Sequence, residues 1–357
     1  MKPNEVVIVI NPGSTSTKLA LYNREGLLKE AVTRHPQAEL DRYKRVSDQF
    51  EYRYAIVEDE LDNLLSKDSY QVIGVVGRGG IVKPLNGGTY TINDAFLEDA
   101  RKGTYGDHAS NLGSLLAHKL AHHYELKESY TVDPVSAGNI WEKAKISGVP
   151  NIERNRRGHP LNMKMTARKI AQQQNLPFEE AKYVIAHLGG GISIAAVEGG
   201  KIVDVNDALM GMGPFSPNRA GALPSRGIMD LCYSKPREEV EKLLSKNSGL
   251  KAYLGVEDLR DVFRLIDHGN KQAQLVYEAF VYQIAKEIGA YFTALKCQAN
   301  GIIITGGIAY SERFIADLKE YVGPLTLFFV YPGENEMEAM AEGAFRVIDG
   351  KEKALKY

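Results

Sequence analysis

The chain has 357 residues, with 44 Lys and Arg against 45 Asp and Glu and a formal net charge of −1. That length favours two domains over a single core, and the near-neutral balance gives no global field to steer the chain to nucleic acid or a bilayer. There is no apolar run of membrane-spanning length, and the start Met1-Lys-Pro-Asn-Glu5 has no apolar signal-peptide stretch. Two cysteines, Cys232 and Cys297, stand apart among apolar neighbours and read as reduced core thiols of a cytoplasmic protein.

The first predicted strand, from Val7, runs into Asn11-Pro-Gly-Ser-Thr-Ser-Thr-Lys18. An apolar strand that ends in Gly and hydroxyl residues leaves backbone N–H groups unpaired at a tight turn, which suits phosphate oxygens. The chain continues as Leu19-Ala-Leu-Tyr22, turns at Asn23-Arg-Glu-Gly26 and resumes as Leu27 to Val32, a series of three antiparallel strands. In a Walker P-loop a helix follows the Gly-Lys-Ser/Thr, whereas here a β-pattern follows Lys18, so that mechanism is disfavoured. Tyr70 to Val76 is an apolar run ending in Gly77-Arg-Gly-Gly80. Asn111 to Tyr124 has helical spacing, and Ser129-Tyr-Thr-Val132 is a short strand ending at Asp133-Pro134.

The opening motif then recurs about half the chain later. Tyr183-Val-Ile-Ala-His-Leu-Gly-Gly-Gly-Ile-Ser193 is again an apolar strand into a glycine turn, followed by Ile-Ala-Ala-Val, a turn at Glu198-Gly-Gly200 and a strand Lys201 to Val205. Turn, hairpin and spacing repeat together, which argues for a duplicated unit holding one nucleotide between two halves. A long helix is predicted over Gln272 to Lys296, with an apolar stripe of Leu275, Ala279, Phe280, Ile284, Ile288 and Leu295. Strand Ile302-Ile-Ile304 leads through Thr305-Gly-Gly307 into a helix near Ser311, and Leu325 to Val330 leads through Tyr331-Pro-Gly333 into the final helix. Such βαβ units predict α/β domains with helices on the sheet faces. No low-complexity linker divides the halves, which favours a hinge over a tether.

Six segments together resemble one family: Asn11 to Lys18, Gly77 to Gly80, His187 to Gly191, Gly213-Pro-Phe-Ser-Pro-Asn-Arg-Ala-Gly221, Thr305 to Ile308 and Pro332-Gly-Glu-Asn-Glu336. The chain resembles the acetate and butyrate kinases of the actin, hexokinase and Hsp70 superfamily, and butyrate kinases most. The resemblance implies an α/β, duplicated ribonuclease-H-like (actin/hexokinase-type) two-domain fold with an interdomain nucleotide cleft. The expected N-terminal domain is 1–132 plus 340–357, with the last helix returning to it, and the expected nucleotide-binding domain is 133–339. It further implies a homodimer and reversible phosphoryl transfer from MgATP to a short-chain carboxylate, giving an acyl phosphate and ADP. A carboxylate is already ionised near neutral pH, so the task is electrostatic, and guanidinium groups with Mg²⁺ offset the repulsion between two anions.

On the resemblance, Arg78 and Arg219 are the arginine clamps, with Arg226 a competitor for the second role because its spacing is nearer the acetate-kinase pattern. Asp133 and Glu336 are assigned to Mg²⁺, and His159, in Gly158-His-Pro-Leu-Asn162, to a hydrogen bond with the transferring phosphoryl; His108 is a weaker candidate. Asn11, Ser14, Ser16 and Lys18 line the first phosphate turn, and His187, Gly189, Gly190 and Gly191 the second. Gly306, Gly307 and Ile308 leave room for adenosine, and Asp258 with Arg260 resembles an adenine-edge contact. Plainer explanations stand beside these: a surface arginine on a turn, an Asp that forms a turn before Pro134, and a glutamate favoured at a helix N-terminus. The cluster Arg154, Arg156 and Arg157 reads as a solvated loop.

The chain departs from its relatives in Met210-Gly-Met-Gly213, where butyrate kinases usually have acidic residues, and at Gly158 and Gly80, where relatives have side chains. The two glycines predict a roomier acid pocket and hence an acid larger than acetate, straight or branched. The alternatives are an acetate or propionate kinase of the same family, a non-catalytic ATP-binding regulatory protein, which need not keep Arg78, Arg219 and His159, and a sugar kinase using Asp133 as base.

Overall fold

The computed structural model describes residues 4–65, 70–154 and 157–357. It divides into two compact units, residues 1–138 with 335–357, and residues 139–334.

In the first unit, strands β1 (Glu5–Pro12), β2 (Ser16–Asn23) and β3 (Gly26–Arg34) form the predicted antiparallel series. Asn23 closes the second turn by accepting from the N–H groups of Glu25 and Gly26, at 2.9 and 3.0 Å. Strand β4 (Gln71–Gly77) lies parallel to β1, followed across the sheet by β6 (Tyr130–Val132), β5 (Thr89–Thr91) and the C-terminal strand Leu355–Lys356. Val6 to Ile10 of β1 are completely buried, as a strand covered on both faces requires. Helix Asn111–His123 and the final helix Glu336–Ile348 both pack on β1 and β4. They take opposite faces: a Cβ on Gly74 would lie 2.7 Å from Ile348 of the final helix, and one on Gly77, an odd number of residues on, 2.0 Å from the Gly113 carbonyl.

The second unit repeats the plan. Strands β7 (Lys182–Leu188), β8 (Ile192–Glu198) and β9 (Lys201–Val205) form an antiparallel series, with β10 (Gly301–Gly306) parallel to β7 and β11 (Phe328–Pro332) parallel to β10. The β8–β9 turn is Gly199-Gly200 at φ 59° and 71°, the left-handed pair a two-residue hairpin loop needs. Alternation along β7 sends Val184, Ala186 and Leu188 toward helix Lys271–Ala294, and Tyr183 and Ile185 toward helix Pro160–Gln173. The order β3-β2-β1-β4-β6 therefore matches β9-β8-β7-β10-β11. Both second strands also bulge against the third, at Leu21/Tyr22 and at Ala196/Val197. This is the duplicated ribonuclease-H-like α/β fold that the resemblance implies.

Several expectations change. The units join at 138/139 and 334/335 instead of 132/133 and 339/340, because Gly138 N–H bonds Leu85 of the first unit and Glu336 is held there by Arg78 and Asn11. Leu275 is 66% exposed; the buried stripe of helix Lys271–Ala294 runs through Val276, Tyr277, Phe280, Val281, Ile284 and Ile288, one position round from it. Strand β11 starts at Phe328, after Leu325. Cys232 and Cys297 are both exposed and are not core thiols. Cys232 sits on helix Ser225–Ser234, which buries none of its residues, and Cys297 follows the end of helix Lys271–Ala294 with φ 57°.

Candidate active site

In the first unit the loop after β4 is gripped on every side. A Cβ would come within 2.5 Å of Thr131 Oγ1 at Gly79, and within 1.8 Å of Asn111 Oδ1 at Gly80. Glycine at these positions lets the loop press against helix Asn111–His123 and Pro134, and Arg78 N–H bonds the Ile10 carbonyl at 2.9 Å. Arg78 is 5% exposed as a residue, so it is not a surface arginine. Its Nη2 lies 2.9 Å from Glu336 Oε1, and Asn11 Nδ2 donates to Glu336 Oε2 at 3.0 Å. Arg78 Nη1 is buried with no hydrogen-bond partner among the described residues, an arrangement that suits an incoming anion.

Asp133 follows β6 directly, in the left-handed region at φ 39°. Its Oδ1 accepts from Gly88 N–H at 2.8 Å while its own N–H bonds the Gly88 carbonyl at 2.9 Å, so a buried carboxylate is fixed in place. Among the described residues no group of three or more His, Cys, Asp or Glu could hold a metal. Magnesium keeps waters and takes one or two carboxylates plus phosphate oxygens, and of the two carboxylates expected to hold it, Glu336 has both oxygens engaged here, by Arg78 and Asn11.

The turn Gly13 to Ser16, expected to face phosphate, closes by Gly13 N–H to the Ser16 carbonyl at 2.7 Å. Ser14 and Lys18 are exposed, and Asn11 pairs with Lys18 across the hairpin. Beneath the turn lies Arg53, which the motifs did not reveal. It is fully buried and donates to the carbonyls of Gly13, Ser14 and Ser16 at 2.8, 3.0 and 3.2 Å. Burial lowers its pKa from the ordinary arginine value. The sequence signal was a single arginine in step with Val57 and Leu61 on the buried face of helix Phe50–Leu65. His108 bonds Ser110 at 2.7 Å at the start of helix Asn111–His123.

In the second unit His159 and His187 stack, ring centroids 3.9 Å apart and planes 17° apart. His159 Nδ1 lies 2.9 Å from the Ser193 hydroxyl, and His187 Nδ1 lies 2.8 Å from Asn162 Nδ2. Ser193 and Asn162 were also missed; Asn162 shows as a polar residue in step with Thr166 on the buried face of helix Pro160–Gln173. Arg219 packs its guanidinium on the Gly189 to Gly191 turn: a Cβ on Gly191 would lie 2.3 Å from Nη1. Nη1 donates to the Ala208 carbonyl at 2.5 Å, and buried Nε has no partner among the described residues. Burial lowers the Arg219 pKa, and nearby Asp207 opposes that shift. Arg226 is exposed, on the helix that buries nothing.

A pocket of about 630 Å³ gathers Gly189, Gly190, Asp258, Arg260, Gly307 and Ile308, six residues expected at the nucleotide. Gly306, at φ 89°, forms the turn itself, since its Cβ would lie 2.4 Å from the Leu188 carbonyl, whereas a Cβ on Gly307 meets nothing within 4 Å. The Asp258 carboxyl, hydrogen-bonded by the Arg260 side chain, is held down to about 2.

Three readings need correction. Gly80 frees no room, because Asn111 fills the space its side chain would take, and at Gly158 a Cβ would already meet Ser193 and Val205 at 3.2 and 3.3 Å. Beside Met210 to Gly213, buried Asp207 packs against Gly211 and pairs with Arg157 at 2.9 Å, so that loop does meet an acidic side chain. Arg157 is therefore not simply solvated, nor is Arg154, which bonds Asp204 and the Ala144 carbonyl; Arg156 lies outside the described residues.

The sequence profile of the Acetokinase family matches residues 154–342. A protein named probable butyrate kinase 2, from Caldanaerobacter subterraneus subsp. tengcongensis, is 44% identical over 359 residues, covering 98% of this chain and 99% of its own. A probable butyrate kinase from Clostridium botulinum (strain Alaska E43) is 41% identical over 360 residues, covering 98% of this chain and 99% of its own. Among solved structures, the acetate kinase of Porphyromonas gingivalis superposes with a TM-score of 0.77 over 96% of this chain and 99% of that one at 18% identity, a likeness of fold. A profile that spans over half the chain, with relatives of this identity over nearly its whole length, shows that this chain belongs to the acetokinase family.

Proposed function

We propose that this chain is a carboxylate kinase that reversibly transfers the γ-phosphoryl group of MgATP to butyrate or a similar straight or branched short-chain acid, giving an acyl phosphate and ADP. The observation that carries the reading is the pair of built-in arginines, Arg78 and Arg219, each with a buried guanidinium nitrogen that has no partner among the described residues. A donor buried without a partner is costly, and a ligand oxygen removes that cost. Two such donors suit a reaction between anions better than the regulatory or sugar-kinase readings do. The names of the full-length relatives favour butyrate over acetate, now that Gly80 and Gly158 no longer argue for a larger pocket.

In this reading Arg78 orients the acid's carboxylate, which needs no general base, and Arg219 offsets charge on the phosphoryl oxygens. His159 donates to the transferring group, and the Gly13 to Ser16 and Gly189 to Gly191 turns present N–H groups to phosphates. The pocket beside Gly307 and Ile308 takes the adenosine. Asp133 and Glu336 would hold Mg²⁺, which would neutralise phosphate charge and orient the γ-phosphoryl when bound. A homodimer is part of the proposal, read by light scattering.

The test is acyl-phosphate formation, trapped as the hydroxamate, with MgATP and acetate, propionate, butyrate, isobutyrate, valerate or isovalerate. An optimum in kcat/KM at four or five carbons supports the reading. A preference for acetate moves it to the acetate-kinase alternative, and no product despite ATP binding moves it to the regulatory one.

A further inference from the structure

Asn162 has no part in the chemistry above, yet its buried amide touches a histidine of the second phosphate turn. It is completely buried in the first turn of helix Pro160–Gln173. Its Nδ2 lies 2.8 Å from His187 Nδ1, 3.3 Å from Thr305 Oγ1 and 3.4 Å from the Gly333 carbonyl oxygen. A carbonyl oxygen only accepts, so the atom facing it is the amide nitrogen and not the amide oxygen. An amide nitrogen only donates. Each bond then has one direction: Asn162 donates to His187 Nδ1 and to Thr305 Oγ1, and the Thr305 hydroxyl donates to Gly333 at 3.2 Å.

An imidazole whose Nδ1 accepts carries its proton on Nε2. His187 Nε2 faces the glycine turn, where a Cβ built on Gly189 would stand 3.7 Å from it. We infer that Asn162 is a positioning residue that holds His187 as the neutral, Nε2-protonated imidazole, so that the ring offers an N–H to a phosphate oxygen at the Gly189–Gly191 turn. The opposite tautomer would turn a lone pair toward an anion and repel it. A neutral ring also suits the stack on His159 at 3.9 Å, where two imidazolium charges would repel. The donor role rests on the reading of this turn as a phosphate site; the tautomer does not.

The experiment is two-bond ¹H–¹⁵N correlation spectroscopy of ¹⁵N-labelled protein, with the His187 signals assigned through His187→Gln. The expected spectrum shows Nδ1 unprotonated and Nε2 protonated, with the Nε2 signal moving on addition of MgADP. Asn162→Asp, whose carboxylate accepts where the amide donated, should move the proton to Nδ1. It should also lower kcat/KM for ATP about tenfold to a hundredfold, the usual cost of losing the partner that orients a histidine, with the larger change in KM for ATP than for the acid. A protonated Nδ1 in the unsubstituted protein overturns the inference, and that spectrum decides it even where the variant fails to fold. The expected tautomer with an Nε2 signal unmoved by MgADP overturns the donor role and, with it, the phosphate reading of the turn.

Discussion

Arg78 Nη2 lies 2.9 Å from Glu336 Oε1, tying the loop after β4 to the first residue of the final helix. Arg78 is buried and Glu336 half-buried, 7% and 14% exposed at the side chains, and Asn11 takes the other carboxylate oxygen. Removing the arginine leaves a largely shielded carboxylate without its cation, which costs about 3 kcal/mol. Arg78→Ala should therefore unfold at lower urea, while Arg78→Ala with Glu336→Gln recovers part of the loss. Acyl transfer should fall about 10²- to 10³-fold, with ATP affinity by calorimetry changed only a few-fold. Strong loss of ATP binding would count against Arg78 as the carboxylate clamp.

The second clamp is a choice between Arg219 and Arg226. Arg219 lies on Gly191 with a buried Nε that has no partner among the described residues, and Arg226 stands in solvent. Arg219→Ala should lower kcat about 10²- to 10³-fold, and Arg226→Ala should leave it within a few-fold of the parent. Comparable losses in both variants would sink the assignment.

The sequence was informative wherever a local pattern carries the signal. Two strand-turn-strand series, their turns at Asn23–Gly26 and Gly199-Gly200, and the glycine loops round Arg78 and His187 are all local, and the fold and family follow from them. Arg53, Asn162 and Ser193 were not legible as site residues, because their roles depend on which chain segments pack against them. Arg53 gathers carbonyls some 40 residues away, and Asn162 meets Thr305 at a separation of 143 residues. The pocket argument from Gly80 failed for the same reason: a missing side chain reads as space until Asn111, far along the chain, is seen to fill it.

Two glycines now separate folding from binding. Gly80→Ala drives a methyl into Asn111 at Oδ1 and Cα, so it should destabilise the protein by a few kcal/mol and displace Arg78, with the ratio of kcat/KM for acetate and butyrate unchanged. Gly307→Val projects into the open 630 Å³ pocket, so it should raise KM for ATP about tenfold or more with little change in Tm. A switch of acid preference in Gly80→Ala would restore the roomier-pocket reading, and unchanged ATP affinity in Gly307→Val would remove the adenosine from this pocket.

Beside Arg53, buried His35 bonds the Thr17 hydroxyl at 2.8 Å, close to the Gly13 to Ser16 turn. Burial, and then the Arg53 charge, push its pKa from 6.5 down to about 4. The folded protein thus refuses a proton that the unfolded chain accepts from about pH 6.5 downward. The stability it contributes is complete above that pH and is lost as the pH falls toward 4. At 1.36 kcal/mol per pKa unit the full loss is about 3 kcal/mol. His35→Gln cannot take up this proton in either state. Urea unfolding at pH 7 and at pH 4 should show the parent losing up to about 3 kcal/mol more than the variant over that range. Equal losses in the two proteins would mean that His35 is protonated in the folded state, and that a charge is tolerated beside Arg53.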